Sequence, residues 1–396
     1  MAVKRDLENV ILAKLIPVII LSILMTGCGE RNKQSTDTLI TVDVTAHYPE
    51  KELILQEFLD VEYVPLETND EFITQGHVLA IGNQYILVKN SINDGDIFIF
   101  DRKTGKGLRK INRKGQGGEE YNFISGIALD EDNSEIFVNS TGKKILVYDL
   151  SGNFKRSLAY PKDASYSDIF NYDNDNLICY NASGIYRRKG EDRDGQSYHL
   201  VISKQDGSIT RNIHVPFEIF KSPMMREGDA IIATRISPIV PYHDNWLLVE
   251  ISSDTVHNWL SEENTLTPFL VKTPTTDPEI FLTMGTITDR YCFMKTTKME
   301  VDLSKGRGFP STDLMYDKQE NTIFNATVLN GDYLKKQELN MTSFPINDKI
   351  AAFQTLAASE IVDAYENEEL KGKLKEIAAN LDEEDNPVIM LMKYKK

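Results

Sequence analysis

From residue 39 to about residue 330, apolar and polar residues alternate in short runs, the period-two pattern of β-strands. The runs are organised. "DIFIFDRKTGKGLRKI" (96–111) reads as strand, turn, strand. "KILVYDLSGNFKRSL" (144–158) repeats it, with an aromatic-Asp pair entering the turn and a Gly inside it. Further copies are "YHLVISKQDGSITRNI" (198–213), "DTVHNWLSEENTLTPFLV" (254–271) and "DLMYDKQENTIFNATV" (313–328). The turns open near Asp101, Asp149, Lys204, Ser261 and Asp317, in steps of 48, 55, 57 and 56 residues. Asp, Asn and Gly suit such turns because they tolerate left-handed backbone or bond back to it.

Two further strands precede most of these hairpins: 77–90, 123–140, "AIIATRISPIV" (230–240) with "NWLLVEIS" (245–252), and 281–297. Four strands per repeat of this length predict a blade of a β-propeller. One blade leaves both faces bare, so blades pack radially into a ring. Five are visible, and a sixth is expected from the strands at 39–45 and 60–66 with the C-terminal "NPVIMLMKYKK" (386–396). Joining the two chain ends in one sheet would close the ring and remove a free edge. The expected fold is an all-β, six-bladed β-propeller of four-stranded antiparallel blades. It carries a helical insertion over about 346–381, where apolar residues at 350, 353, 356, 361, 365, 370, 374, 377 and 381 form an amphipathic stripe.

The N-terminus reads as an address. "LIPVIILSILMTG" (15–27) follows Lys4, Arg5 and Lys14 and is too short for a membrane span, which needs about 20 residues. "LMTGC" (24–28) resembles a bacterial lipobox, which implies cleavage after Gly27 and lipid on Cys28. Residues 1–27 are thus expected to be a lipoprotein signal peptide, 28–38 a polar, flexible tether, and 39–396 the propeller. The expected partner of the anchor is the outer membrane, with the periplasmic side favoured because residues 29–34 lack an acidic run.

Composition narrows the chemistry. The chain carries a net charge of −16, and because the first 27 residues are +1 the remainder carries −17. Such a body argues against nucleic acid as a partner, since phosphate contacts draw on Lys and Arg clusters. "NRKGQGGEEY" (112–121) crowds three glycines, but no Lys-Ser/Thr follows them and a strand, not a helix, comes next, so neither phosphate-binding signature is met. The six histidines show no metal spacing, and the calcium-like fragments at 130–135 and 173–178 lack the Gly and terminal Glu spacing of an EF-hand. No cofactor and no metal are expected. Cys179 and Cys292 sit in apolar strand contexts typical of buried free thiols.

The G-x-G-G-E-x-Y loop, followed by "IALDEDNSEIFVNSTGKKILVYDLSGNFKRSL", resembles the six-bladed β-propeller lipoproteins of Bacteroidetes, whose blades are NHL-like. "YVPLET" (63–68) and "EEDNPVIMLMKYKK" (383–396) match the two ends of such chains. The resemblance implies a fold and leaves the activity open. The loop is read as a blade connection, with Arg113, Glu119, Glu120 and Tyr121 as candidate binding residues at a mouth of the ring. No nucleophile, acid–base pair or metal set emerges. The reading taken is therefore a non-enzymatic, lipid-anchored envelope protein that binds or scaffolds a protein, peptide or glycan. The alternative is a glycan-acting hydrolase or lyase with its site in the central funnel.

Overall fold

The computed structural model of the chain describes residues 39–395 apart from 141–143, 163, 187–197, 228–229, 302–307, 344–345 and 348. The expected signal peptide, the tether and Cys28 lie outside the described residues. The chain enters through β1 (Ile40–Val42), β2 (Glu50–Ile54), a one-turn helix at Leu55–Phe58, and β3 (Leu59–Pro65). Blade 1 comprises β4 (His77–Ile81), β5 (Tyr85–Lys89), β6 (Asp96–Asp101) and β7 (Gly107–Asn112). Blade 2 comprises β8 (Ile124–Asp130), β9 (Glu135–Ser140), β10 (Lys144–Asp149) and β11 (Phe154–Ala159). Blade 3 comprises β12 (Tyr166–Asn171), β13 (Asn176–Asn181), β14 (His199–Ser203) and β15 (Ile209–Ile213). A separate hairpin, β16 (Met224–Glu227) with β17 (Ala230–Ala233), interrupts the connection to blade 4. Blade 4 comprises β18 (Ile239–Tyr242), β19 (Asn245–Leu248), β20 (Thr255–Leu260) and β21 (Thr265–Lys272). Blade 5 comprises β22 (Ile280–Ile287), β23 (Tyr291–Lys298), β24 (Ser311–Asp317) and β25 (Thr322–Leu329), with the short β26 (Glu338–Leu339) beside it. The sixth sheet has three strands, β27 (Ile350–Leu356), β28 (Val388–Tyr394) and β3.

The ring is cemented by six apolar cores, one at each blade-to-blade junction. In β9, Ile136 and Val138 face blade 1 while Phe137 faces blade 3. In β28, Val388, Met390 and Met392 face blade 5 while Ile389 and Leu391 face blade 1. Strands covered on both faces carry unbroken apolar runs, and outermost strands alternate. Thus β9 is buried along its whole length, whereas β7 exposes four of its six residues and β11 three of six.

Three details depart from the sequence expectation. The segment at 39–45 does not join the sixth sheet: β1 lies parallel on the outer edge of blade 4, pairing Ile40 with Leu270, and β2 lies parallel on blade 5, pairing Glu50 with Asn325. Those two edges carry few charges, whereas the uncovered edges of β7, β11 and β15 carry Arg109, Lys110, Lys155, Arg156 and Arg211, which discourage strand addition. Ala230–Ala233 belongs to the separate hairpin, so blade 4 begins at Ile239. The helical stretch is narrower than 346–381: Ile350–Leu356 is a strand paired with β28, and helix occupies only Ala358–Glu366 and Gly372–Ala378. The apolar stripe at 350, 353 and 356 serves that strand, because a spacing of three to five cannot by itself separate a two-sided strand from a helix.

The chain ends meet at Asn386, a buried side chain. Its Nδ2 donates to the carbonyls of Glu67 and Phe72, both at 2.7 Å, and its Oδ1 accepts the amide of Thr74 at 2.8 Å. This network ties the last strand to the segment that enters blade 1.

Candidate functional site

An antiparallel meander places the turns of every blade on two faces. Turns joining the first to the second and the third to the fourth strand lie on one, here the turn face. Turns joining second to third strands, and the links between blades, lie on the other, the connection face.

The glycine-rich stretch is a link between blades 1 and 2. Tyr121 is fully buried in the core between them, edge-on to Tyr148 with ring centres 6.0 Å apart. Its hydroxyl donates to the Gly95 carbonyl at 2.7 Å and accepts the Arg113 amide at 3.0 Å. Burial pushes this phenol up to about 12. Arg113 Nε donates to the Gly152 carbonyl at 2.8 Å, and the Glu120 carboxylate accepts the Gly117 amide at 2.8 Å. The Glu119 carbonyl accepts the Tyr148 hydroxyl at 2.6 Å. The calcium-like fragments are likewise turn-forming. Asp130 bonds Asn133 and Lys204, and Asp173 accepts the amides of Asp175 and Asn176. Cys179 and Cys292 form no disulfide with each other and are buried in different junctions, between blades 2 and 3 and between blades 4 and 5. Among the described residues no three His, Cys, Asp or Glu side chains converge in a way that holds a metal ion.

A cavity of about 410 Å³ opens on the turn face where blades 4, 5 and 6 meet. Tyr242 and His243 reach it from the first turn of blade 4, and Thr288, Asp289 and Arg290 from the first turn of blade 5. Glu57 and Phe58 come from the one-turn helix, and Tyr394 and Lys395 from the end of β28. Much of this wall is rigid. Arg290 donates through Nε and Nη2 to Asp317 at 3.1 and 2.7 Å, and its guanidinium carbon lies 4.9 Å from the Tyr291 ring centre. Burial alone would raise Asp317, but hydrogen bonds from Arg290 and Lys51 hold its carboxyl well below the usual range. Phe58 packs edge-on against Tyr291 at 5.1 Å. Lys395 Nζ donates to the carbonyls of Gln56 and Glu57 at 2.8 and 2.9 Å. His243 holds a left-handed φ of 51°, costly for a residue with a side chain, and its ring lies 4.5 Å from Tyr242. The carboxylates of Glu57 and Asp289 make no hydrogen bond or ion pair among the described residues. The cavity therefore offers aromatic faces, an imidazole and two uncommitted carboxylates beside a guanidinium fixed in place.

A family model for a domain of unknown function, DUF4934, matches residues 39–393. The chain belongs to the DUF4934 family. Among solved structures it is similar to an exported protein of Bacteroides fragilis at 17% identity and a TM-score of 0.63, over 91% of this chain and 100% of that one. It also matches a DUF4221 family member from Bacteroides vulgatus at 11% identity and a TM-score of 0.45, over 85% and 97% of the two chains. At such identities the likeness concerns the fold alone. No curated protein matches the chain.

The sequence reading missed every residue of this cavity as a site. The available signal was positional: His243-Asp244 and Thr288-Asp289-Arg290 are first turns of consecutive blades, and such turns share a face. Glu57 and Tyr394 had no such signal, since nothing local brings residue 57 beside residue 394.

Proposed function

We propose that this DUF4934 protein is a lipid-anchored, non-enzymatic binding protein of the cell envelope, holding a peptide or glycan on one face of its ring. The cavity on the turn face carries this reading. Phe58, Tyr242 and Tyr394 supply flat apolar surface, and Glu57, Asp289 and His243 supply polar groups that fix orientation, the usual composition of a ligand site. The anchor rests on the apolar run before Cys28 and the lipobox-like "LMTGC". The fold likeness to an exported protein is compatible with that address. Arg113, Glu119 and Glu120 would contribute to contacts on the opposite face, positioned by Tyr121. Titration calorimetry against peptide and envelope-glycan panels tests the cavity: binding that falls about tenfold in Asp289→Asn or Tyr394→Ala supports it. Ligands that bind both variants like the parent would overturn it. Labelled palmitate entering the parent but not Cys28→Ser tests the anchor.

One observation favours a second reading. The same cavity brings two carboxylates together with His243, Arg290 and Tyr394, groups that a glycan hydrolase or lyase uses for acid–base work. Product release from a bound glycan, abolished by Glu57→Gln or Asp289→Asn, would establish this reading over simple binding.

A further inference from the structure

The connection face presents a second surface, distinct from the cavity. Ile73 is 65% exposed, Ile92 67% and Phe123 40%, each on a loop of that face. Folded proteins scatter exposed apolar residues singly, but these three sit on loops stitched together. The Gln75 amide donates to Asn90 Oδ1 at 3.0 Å, Gln75 Oε1 accepts the Ser91 amide at 2.8 Å, and Asn93 Nδ2 donates to the Asn122 carbonyl at 3.0 Å. The segments bearing Ile73, Ile92 and Phe123 are thereby held as one unit.

A cationic group borders them. His77 at the start of β4 pairs directly with Lys89 at the end of β5, and Lys89 Nζ lies 5.7 Å from the Phe123 ring centre. Lys89 makes no ion pair among the described residues, in a body whose net charge is −17 when the first 27 residues are set aside. Burial and then the positive fields of Lys89 and Arg235 keep the His77 imidazole below its ordinary value, so Arg235 adds to the potential felt there. The nearby carboxylate of Asp94 is taken by Asn90 Nδ2 at 2.6 Å and the Asp96 amide at 3.0 Å.

We propose that this surface is a docking site for a peptide segment of a partner protein, with a carboxylate seated against Lys89 and His77 and apolar side chains laid over Phe123, Ile92 and Ile73. Charge complementarity selects this occupant: an uncommitted cation beside apolar tips matches an acidic, apolar segment and repels a basic one.

The test is selection of a displayed library of random short peptides on the full chain. Enriched peptides are expected to combine Asp or Glu with apolar residues. Their affinity should fall about tenfold in Lys89→Glu and in Phe123→Ser, and fall with added salt, while Ile209→Ser on the rim leaves it unchanged. Lys89→Gln, a milder change, should give an intermediate loss, with melting temperatures confirming that each variant is folded. No enrichment, enrichment of basic peptides, or affinity indifferent to Lys89 and Phe123 would overturn the proposal. So would binding of the chain to phosphatidylethanolamine–phosphatidylglycerol vesicles that is lost in Phe123→Ser, or dimerisation lost in Lys89→Glu, since either assigns the surface to another occupant.

Discussion

Lys204 opens the third turn of blade 3, where its sister blades have Asp101, Asp149 and Asp317. Its ammonium crosses the junction to Asp130 of blade 2 at 2.5 Å, with both side chains 2% exposed. It also donates to the Asp173 carbonyl at 2.5 Å. Burial pushes Asp130 up, but hydrogen bonds from Lys204 and Asn133 pull it below its ordinary value. Lys204→Met keeps the apolar stem and removes the charge. Breaking a buried pair from one side costs about 3–5 kcal/mol because the remaining charge is stranded. Asp130 retains the Asn133 amide and Nδ2 bonds at 3.1 and 2.9 Å, which places the expected loss near the lower end, about 3 kcal/mol. Urea unfolding at neutral pH measures it. Because the folded Asp130 carboxyl is depressed, its contribution is present above the ordinary carboxylate range and is lost as pH falls through the folded value. In Lys204→Met that carboxyl loses its cation and takes up a proton more readily, so the gap between parent and variant should narrow as the solution is acidified. Adding Asp130→Asn to Lys204→Met should recover much of the loss, since the stranded charge is gone. A cost under about 1 kcal/mol at neutral pH, or a double variant no better than the single one, would refute the reasoning.

Three further outcomes are expected. Tyr121→Phe removes a hydroxyl that serves both Gly95 and Arg113, and should cost about 1–3 kcal/mol in urea unfolding while leaving ligand binding at the turn-face cavity unchanged. Asn386→Ala leaves the carbonyls of Glu67 and Phe72 without their buried donor, and should lower stability by about 3 kcal/mol and open the ring closure first, seen as faster amide exchange in β28 and β3 than in blades 2 and 3. His199 is buried and donates Nε2–H to the Pro238 carbonyl, and burial brings it down to about 4. A depressed folded value means that this stability is whole above about 6.5 and drains away as pH falls towards 4, at most about 3 kcal/mol. His199→Asn should flatten the acid limb of a stability–pH curve over that interval, and an unchanged slope would show that other groups drive it.

The blade count was legible because strand, turn and strand recur near Asp101, Asp149, Lys204, Ser261 and Asp317, and each blade is a local meander whose apolar alternation is written in consecutive residues. The structural use of "NRKGQGGEEY" was legible for the same reason, since a link between adjacent blades involves only neighbours in the chain. The path of the N-terminal strands was not. β1 and β2 pair with strands more than 200 residues away, and strands of only three and five residues carry too little pattern to name a partner, so only the assembled ring selects blades 4 and 5. The strand at Ile350–Leu356 was hidden because its partners, β28 and through it β3, come from the far ends of the chain. The cavity was hidden too. It joins Glu57, His243, Arg290 and Tyr394 from four distant segments, and their side chains carry no shared local pattern. Local alternation and turn chemistry in the sequence by themselves determine what each blade is. Closure of the ring alone decides which residues face one another across it, because contacts between remote segments depend on packing that no single stretch encodes.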